Sequence, residues 1–337
     1  MPHATINLPT AALEHVLYWA EDLESFALHD SLVIDCGDGR FFSPFAMLLT
    51  GTKIKLFRQR NPKVRIEFRN FEKHEYLAHM GFFHLCGLDY GREVGEAVGG
   101  ENYLPITCIA RDQFYEADSD KYSEIQDLIQ RHVDRLALVL VRDKTDNPVL
   151  FDVLSFGVRE MMRNVFEHSQ SQSLHYCAQY WPKSKKVEFA ITDFGVGIRR
   201  ALAENPNFRY PSDKEAIECS LWPSVSGKTH LPPTSQTWGN SGYGLFMTSS
   251  LARCGGNFVI VSGSKAIHLT RKNKYNYDTA FPGTAIRMNF AADEIGDVQA
   301  RLSEFRIEAQ RLSKLAGGSA RPPSAMSLLL RKPLIRR

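Results

Sequence analysis

Apolar and polar positions along the chain switch repeatedly between a helical and a strand-like period. Thr10-Ala-Ala-Leu-Glu opens a predicted helix that runs to about residue 26, with a hydroxyl in the cap position and an acid in the first turn. Residues 32–36 (LVIDC) form a short apolar run suited to a buried strand. Ser43-Pro44 is a strong helix start, because serine caps and proline suits the first helical position. Residues 64–68 (VRIEF) alternate as a strand, and a helical stretch from 72 to about 85 follows. This alternation predicts a small α/β layer over residues 1–111.

Residues 112–120 are mostly polar and read as a connection. From 123 to about 141, Ile125, Leu128, Ile129, Val133, Leu136 and Leu140 recur at helical spacing, giving a helical connector over 112–147. Asp146-Asn147-Pro148 interrupts the pattern, and a second helix is expected from about 149 to 168. Strands are expected at 174–181, 187–192, 258–262 and 285–290. Between them, residues 204–240 are rich in Pro, Ser, Gly and Asn and read as a long mobile excursion. Residues 294–315 have the pattern of one amphipathic helix, followed by a basic tail, 316–337, expected to be disordered.

Composition narrows the class. A length of 337 residues suits about two domains of roughly 150 residues. With 43% hydrophobic and 23% charged residues the chain is an ordinary globular one, too apolar for a disordered protein. No run reaches the ~18 apolar residues of a membrane helix, and the first residues lack the basic start and apolar core of a signal peptide. Cys36, Cys86, Cys108, Cys177, Cys219 and Cys254 form no CxxC pair and read as reduced thiols, so the expected location is cytoplasmic. The net charge of +3 is owed to the tail, whose five basic and no acidic residues leave 3 − 5 = −2 for the rest. A body so close to neutral is not expected to bind nucleic acid.

Three motifs in the second half carry chemistry. Glu160, Asn164 and His168 stand four apart on one helix and form a polar stripe on an otherwise apolar element. Asp193-Phe-Gly195-Val-Gly197-Ile198 ends a strand in a glycine turn. Gly239-Asn-Ser-Gly242-Tyr243-Gly244-Leu245 opens a helix after the mobile segment. Glycines at a helix start let backbone amides approach phosphates, and the helix N-terminus favours their charge. A carboxylate at a strand end can accept a hydrogen bond from an exocyclic amine such as that of adenine. An amide oxygen on a facing helix can ligate Mg²⁺, and a carboxylate one turn away can orient or deprotonate an attacking group.

In this order the motifs resemble the GHKL superfamily of ATPases and kinases, which includes gyrase, the MutL mismatch-repair protein, heat-shock chaperones of the ninety-kilodalton class and sensor histidine kinases. Glu160-x-x-x-Asn164 is similar to its N-box, Asp193-x-Gly195-x-Gly197 to its first glycine box and Gly242-x-Gly244 to its second. Pro282-Gly283-Thr284 resembles the Gly-Thr that closes the nucleotide site. The resemblance implies an ATP-binding domain over 148–293 with a mixed sheet covered by helices on one face, and a lid over 199–241. It implies ATP and Mg²⁺ as cofactors, with Glu160 as base, Asn164 on Mg²⁺ and Asp193 reading adenine. His168, Gly195, Gly197, Ile198, Gly242, Tyr243, Gly244, Leu245 and Thr284 would complete the site.

Only 46 residues follow Ala291, too few for the second domain that supplies a catalytic lysine in gyrase, MutL and the chaperones. Asn164-x-x-x-His168 resembles the anti-sigma-factor serine kinases, whereas sensor histidine kinases usually carry a lysine there. The latter would need an acceptor, for which His74 and His132 are the candidates. Residues 32–36, 41–46 and 75–83 resemble the STAS-like fold of anti-sigma-factor antagonists, in which Ser43 would match a phospho-acceptor but is equally placed as a plain cap. Lys228-Thr229-His230 lies in the lid and could approach the γ-phosphate, although a flexible polar loop collects such residues in any case. The resulting expectation is an ATP·Mg²⁺-binding regulator that hydrolyses ATP or phosphorylates a protein serine, with a STAS-like or sigma-factor-type protein as partner and a homodimer as its assembly. The alternatives are a nucleotide-gated scaffold without significant catalysis and a histidine-kinase-like protein.

Overall fold

The structure, a computed structural model, describes residues 3–37, 42–114, 121–141, 148–228, 230, 242–291 and 298–315. The basic tail, Thr229, part of the lid and Gly239-Asn240-Ser241 lie outside them. The first strand, β1 (His3–Asn7), is followed by α1 (Leu13–Asp22), β2 (Ser31–Asp35), α2 (Pro44–Arg60) and β3 (Arg65–Arg69). These strands pair in parallel in the order β1-β2-β3, and the intervening helices α1 and α2 are the crossover connections that parallel pairing needs. The helical stretch expected over 72–85 is divided into α3 (Glu75–His79) and α4 (Phe82–Cys86), because Gly81 at φ +83° ends one and begins the other.

The second sheet has five strands in the order β4 (Tyr103–Ala110), β5 (Ser173–Trp181), β6 (Lys186–Asp193), β8 (Lys274–Ala291) and β7 (Gly256–Thr270). Every pairing in it is antiparallel, so the sheet expected to be mixed is not. The chain is therefore an α/β protein with one parallel and one antiparallel sheet. The boundary at 111 does not separate the two layers, since β4 from the first segment forms an edge of the second sheet. Pro105 sits in that strand, beside a register shift between Leu104 and Thr107. An edge position is where a residue without an N–H is tolerated.

Helices cover both faces of the five-stranded sheet rather than one. Val187, Phe189 and Ile191 of β6 face a core shared with α5 (Lys121–Val141), α6 (Pro148–Asn164) and α9 (Gly244–Gly255). Ala190, from the alternate positions of β6, joins the core built on α1 and α2. Between the layers, the buried Glu188 accepts from the Phe45 N–H at 2.9 Å, holding the first turn of α2. Thr52 and Thr192 share a hydroxyl hydrogen bond of 3.1 Å, and Lys53 donates to the Ala280 carbonyl at 2.6 Å while paired with Glu24. Strand β6 is thus buried on both faces, and its buried polar residues Glu188 and Thr192 are met by partners on α2. Helix α7 (Gly197–Leu202) precedes the excursion, α8 (Asp213–Ser220) lies within it, and α10 (Val298–Leu315) packs on α9 and α6. No helix among the described residues is long and apolar enough to cross a membrane.

Candidate functional site

Helix α6 ends at Asn164 and continues as a π-helical turn, Val165–Ser169, whose residues Val165, His168 and Ser169 line a cleft. Such wider turns recur at functional sites. The turn is buckled to the first glycine motif by serines. Ser169 gives its carbonyl to the Val196 N–H at 2.8 Å, and Ser171 Oγ accepts from the Phe194 N–H at 3.1 Å. A Cβ at Gly195 would stand 2.0 Å from the Ser169 carbonyl oxygen, so only glycine allows this approach. Ser262 adds a second buckle: its Oγ accepts from the Ile198 N–H at 2.9 Å and donates to the Gly283 carbonyl at 3.0 Å. Nothing in the spacing of Ser169, Ser171 or Ser262 marks them in the sequence; only tertiary contact does.

The cleft brings together Asn164 and His168 from the end of α6 and Asp193 from the end of β6. Gly197 and Ile198 from α7, Gly242, Gly244 and Leu245 at the start of α9, and Thr284 of β8 also line it. The rest of its wall is largely apolar, with Met161, Ile191, Leu202, Val225, Ile260 and Ile286. Gly195 stands behind the wall and donates from its N–H to Asp193 Oδ1 at 2.7 Å. Tyr243 is fully buried.

Glu160 departs from the expected stripe. Its side chain is fully buried, its Oε1 lies 3.5 Å from Arg163, and it is not among the residues that line the cleft. A Cβ on Gly244 would fall 2.2 Å from Glu160 Oε2, so the carboxylate is pressed against the start of α9. Arg163, also buried, stands 3.6 Å from Glu167 on its other side. Two carboxylates thus flank one guanidinium inside the helix packing, an arrangement that the four-residue spacing did not foretell.

Electrostatics follow from burial. Desolvation raises the Asp193 carboxyl to about 7, against the hydrogen bonds from Gly195 and Thr284 that lower it. Desolvation lowers His168 to about 3, helped by Lys228 and Arg163, so its ring is neutral near pH 7. No cluster of three or more His, Cys, Asp or Glu among the described residues could hold a metal. A hard cation at Asn164 would need oxygens from a ligand and water, as Mg²⁺ at phosphates commonly has.

The other candidates lie elsewhere. His74 is buried with Nε2 3.3 Å from the Gly37 carbonyl, and His132 bonds the Tyr176 hydroxyl at 2.8 Å with its pKa lowered by burial to about 4. Ser43 caps α2, accepting from the Ala46 N–H at 3.4 Å, with Pro44 at the first helical position. No known protein-family model matches the chain, and no curated protein matches it.

Proposed function

We propose that the chain is an ATP·Mg²⁺-binding regulatory protein of the GHKL type, acting in the cytoplasm, whose nucleotide state governs contact with a protein partner. The observation that carries this reading is the convergence of four sequence-distant segments, from Asn164 to Thr284, on one cleft. Its apolar wall suits a purine, and Asp193 offers an acceptor for the exocyclic amine. The first amides of α9, opened by Gly242 and Gly244, favour phosphate. Asn164 would hold Mg²⁺ through its side-chain oxygen. The ion, when bound, would neutralise the phosphates and polarise the terminal phosphoryl group. Thr284 and the serine buckles keep the glycine turns in place around the ligand. The parallel three-stranded layer, read as STAS-like, would carry the partner-facing surface.

Glu160 favours a second reading, a nucleotide-gated scaffold without significant catalysis. It is buried against Arg163 and Gly244 and would serve as base only after moving clear of both. Following the terminal phosphate of γ-labelled ATP with Mg²⁺, in wild type and Glu160→Ala, decides between them. Free phosphate that vanishes in the variant is the result expected of an ATPase using Glu160. Label on the protein is that of a kinase, and its acid stability distinguishes serine from histidine. Bound but unconsumed ATP leaves the scaffold, and no bound ATP overturns the whole reading.

A further inference from the structure

A nucleoside triphosphate carries several negative charges, yet no lysine or arginine is among the described residues that line the cleft. Two cations bear on His168 from just outside it, Lys228 and Arg163. Arg163 is committed, buried between the carboxylates of Glu160 and Glu167. Lys228 donates from Nζ to the Glu167 carbonyl oxygen at 2.7 Å. That carbonyl precedes His168, which lines the cleft, and Ser226 and Gly227, immediately before Lys228, line it as well. The ammonium therefore stands at the rim where the lid segment meets the end of α6.

We propose that Lys228 is a specificity-determining residue for the phosphates of the bound nucleotide: it exchanges the Glu167 carbonyl for a phosphate oxygen. This rests on the nucleotide reading above. The exchange replaces a neutral acceptor by an anionic one, so that attraction between opposite charges is added to a hydrogen bond whose donor is already charged. The backbone beside it is held: Asn205 Nδ2 donates to the Ser226 carbonyl at 3.4 Å, and a Cβ on Gly227 would lie 2.2 Å from the Ala201 carbonyl oxygen. The movement is left to the flexible lysine stem.

The test is calorimetric titration of the full chain with Mg·ATP and with adenosine, in wild type, Lys228→Gln and Lys228→Arg. Lys228→Gln should weaken Mg·ATP by roughly tenfold or more, leave adenosine within about twofold, and make the salt dependence of Mg·ATP binding shallower. Lys228→Arg should keep most of the affinity. An equal loss for both ligands, or an unchanged affinity and salt dependence for Mg·ATP, overturns the role of Lys228 while leaving the nucleotide site. Wild type that binds neither ligand overturns the nucleotide reading and this inference together.

Discussion

Asp193 makes the most direct statement about pH. Burial raises its carboxyl from 3.8 to about 7, so between those values the folded chain holds a proton that the unfolded chain has released. Stability should therefore fall as pH rises through this interval and level off above about 7, by on the order of a few kcal/mol in all. Asp193→Asn should flatten that slope and be the more stable protein above neutrality. Because His168 and His175 shift the opposite way, the quantity to compare is the difference between wild type and variant in denaturant titrations from pH 4 to 8. A wild-type slope that persists in the variant contradicts the assignment. Gly244 offers a second test at this scale. Gly244→Ala drives a methyl into the Glu160 carboxylate and should destabilise by about 1–3 kcal/mol. The same change in a Glu160→Ala background should cost at least about 1 kcal/mol less, a coupling that a double-mutant cycle measures. Additive losses would separate the two residues.

Among the elements, the cap of α2 separates two roles that the sequence left open for Ser43. Its hydroxyl is buried and bonded to the Ala46 N–H. Ser43→Ala should cost about 1 kcal/mol of stability, as lost caps do, and leave any incorporation of label from ATP unchanged. Loss of label in that variant would restore Ser43 as an acceptor. The same helix shows what a sequence discloses: Ser43-Pro44 announces a start through local chemistry alone. Strands β2 and β3 fall within one residue of their expected places, because short apolar or alternating runs are local signals too. Strand β1 passes unnoticed, since Ala4 and Ile6 are the only apolar pair in its alternation. Strand β4 is masked by Pro105, and α8 by the polar composition around it, although Ser212 caps it and Asp213 ties it to Ser264 at 2.8 Å. Motif residues of the cleft are legible because glycine turns and i,i+4 spacing are local. The departure of Glu160 and the serine buckles depend on elements distant in the chain, which no spacing encodes.

Across the whole molecule, the five-stranded sheet is the shared wall of both layers. One face builds the cleft with α6 and α9; the other meets α1 and α2 through Cys177, Ala190, Val259, Val261 and Ala285. A fragment beginning at 148 would expose that second face and lack β4, so it should aggregate, whereas the full chain should unfold in one transition seen alike by probes in both layers. Two separable transitions would contradict the shared wall. The central claim concerns the cleft, and equilibrium binding of Mg·ATP to wild type and to Asn164→Ala tests it most directly. Saturable binding by wild type that is lost in Asn164→Ala, with both proteins equally folded by circular dichroism, is the result the cleft predicts. Undiminished binding in the variant, or none in wild type, would contradict it.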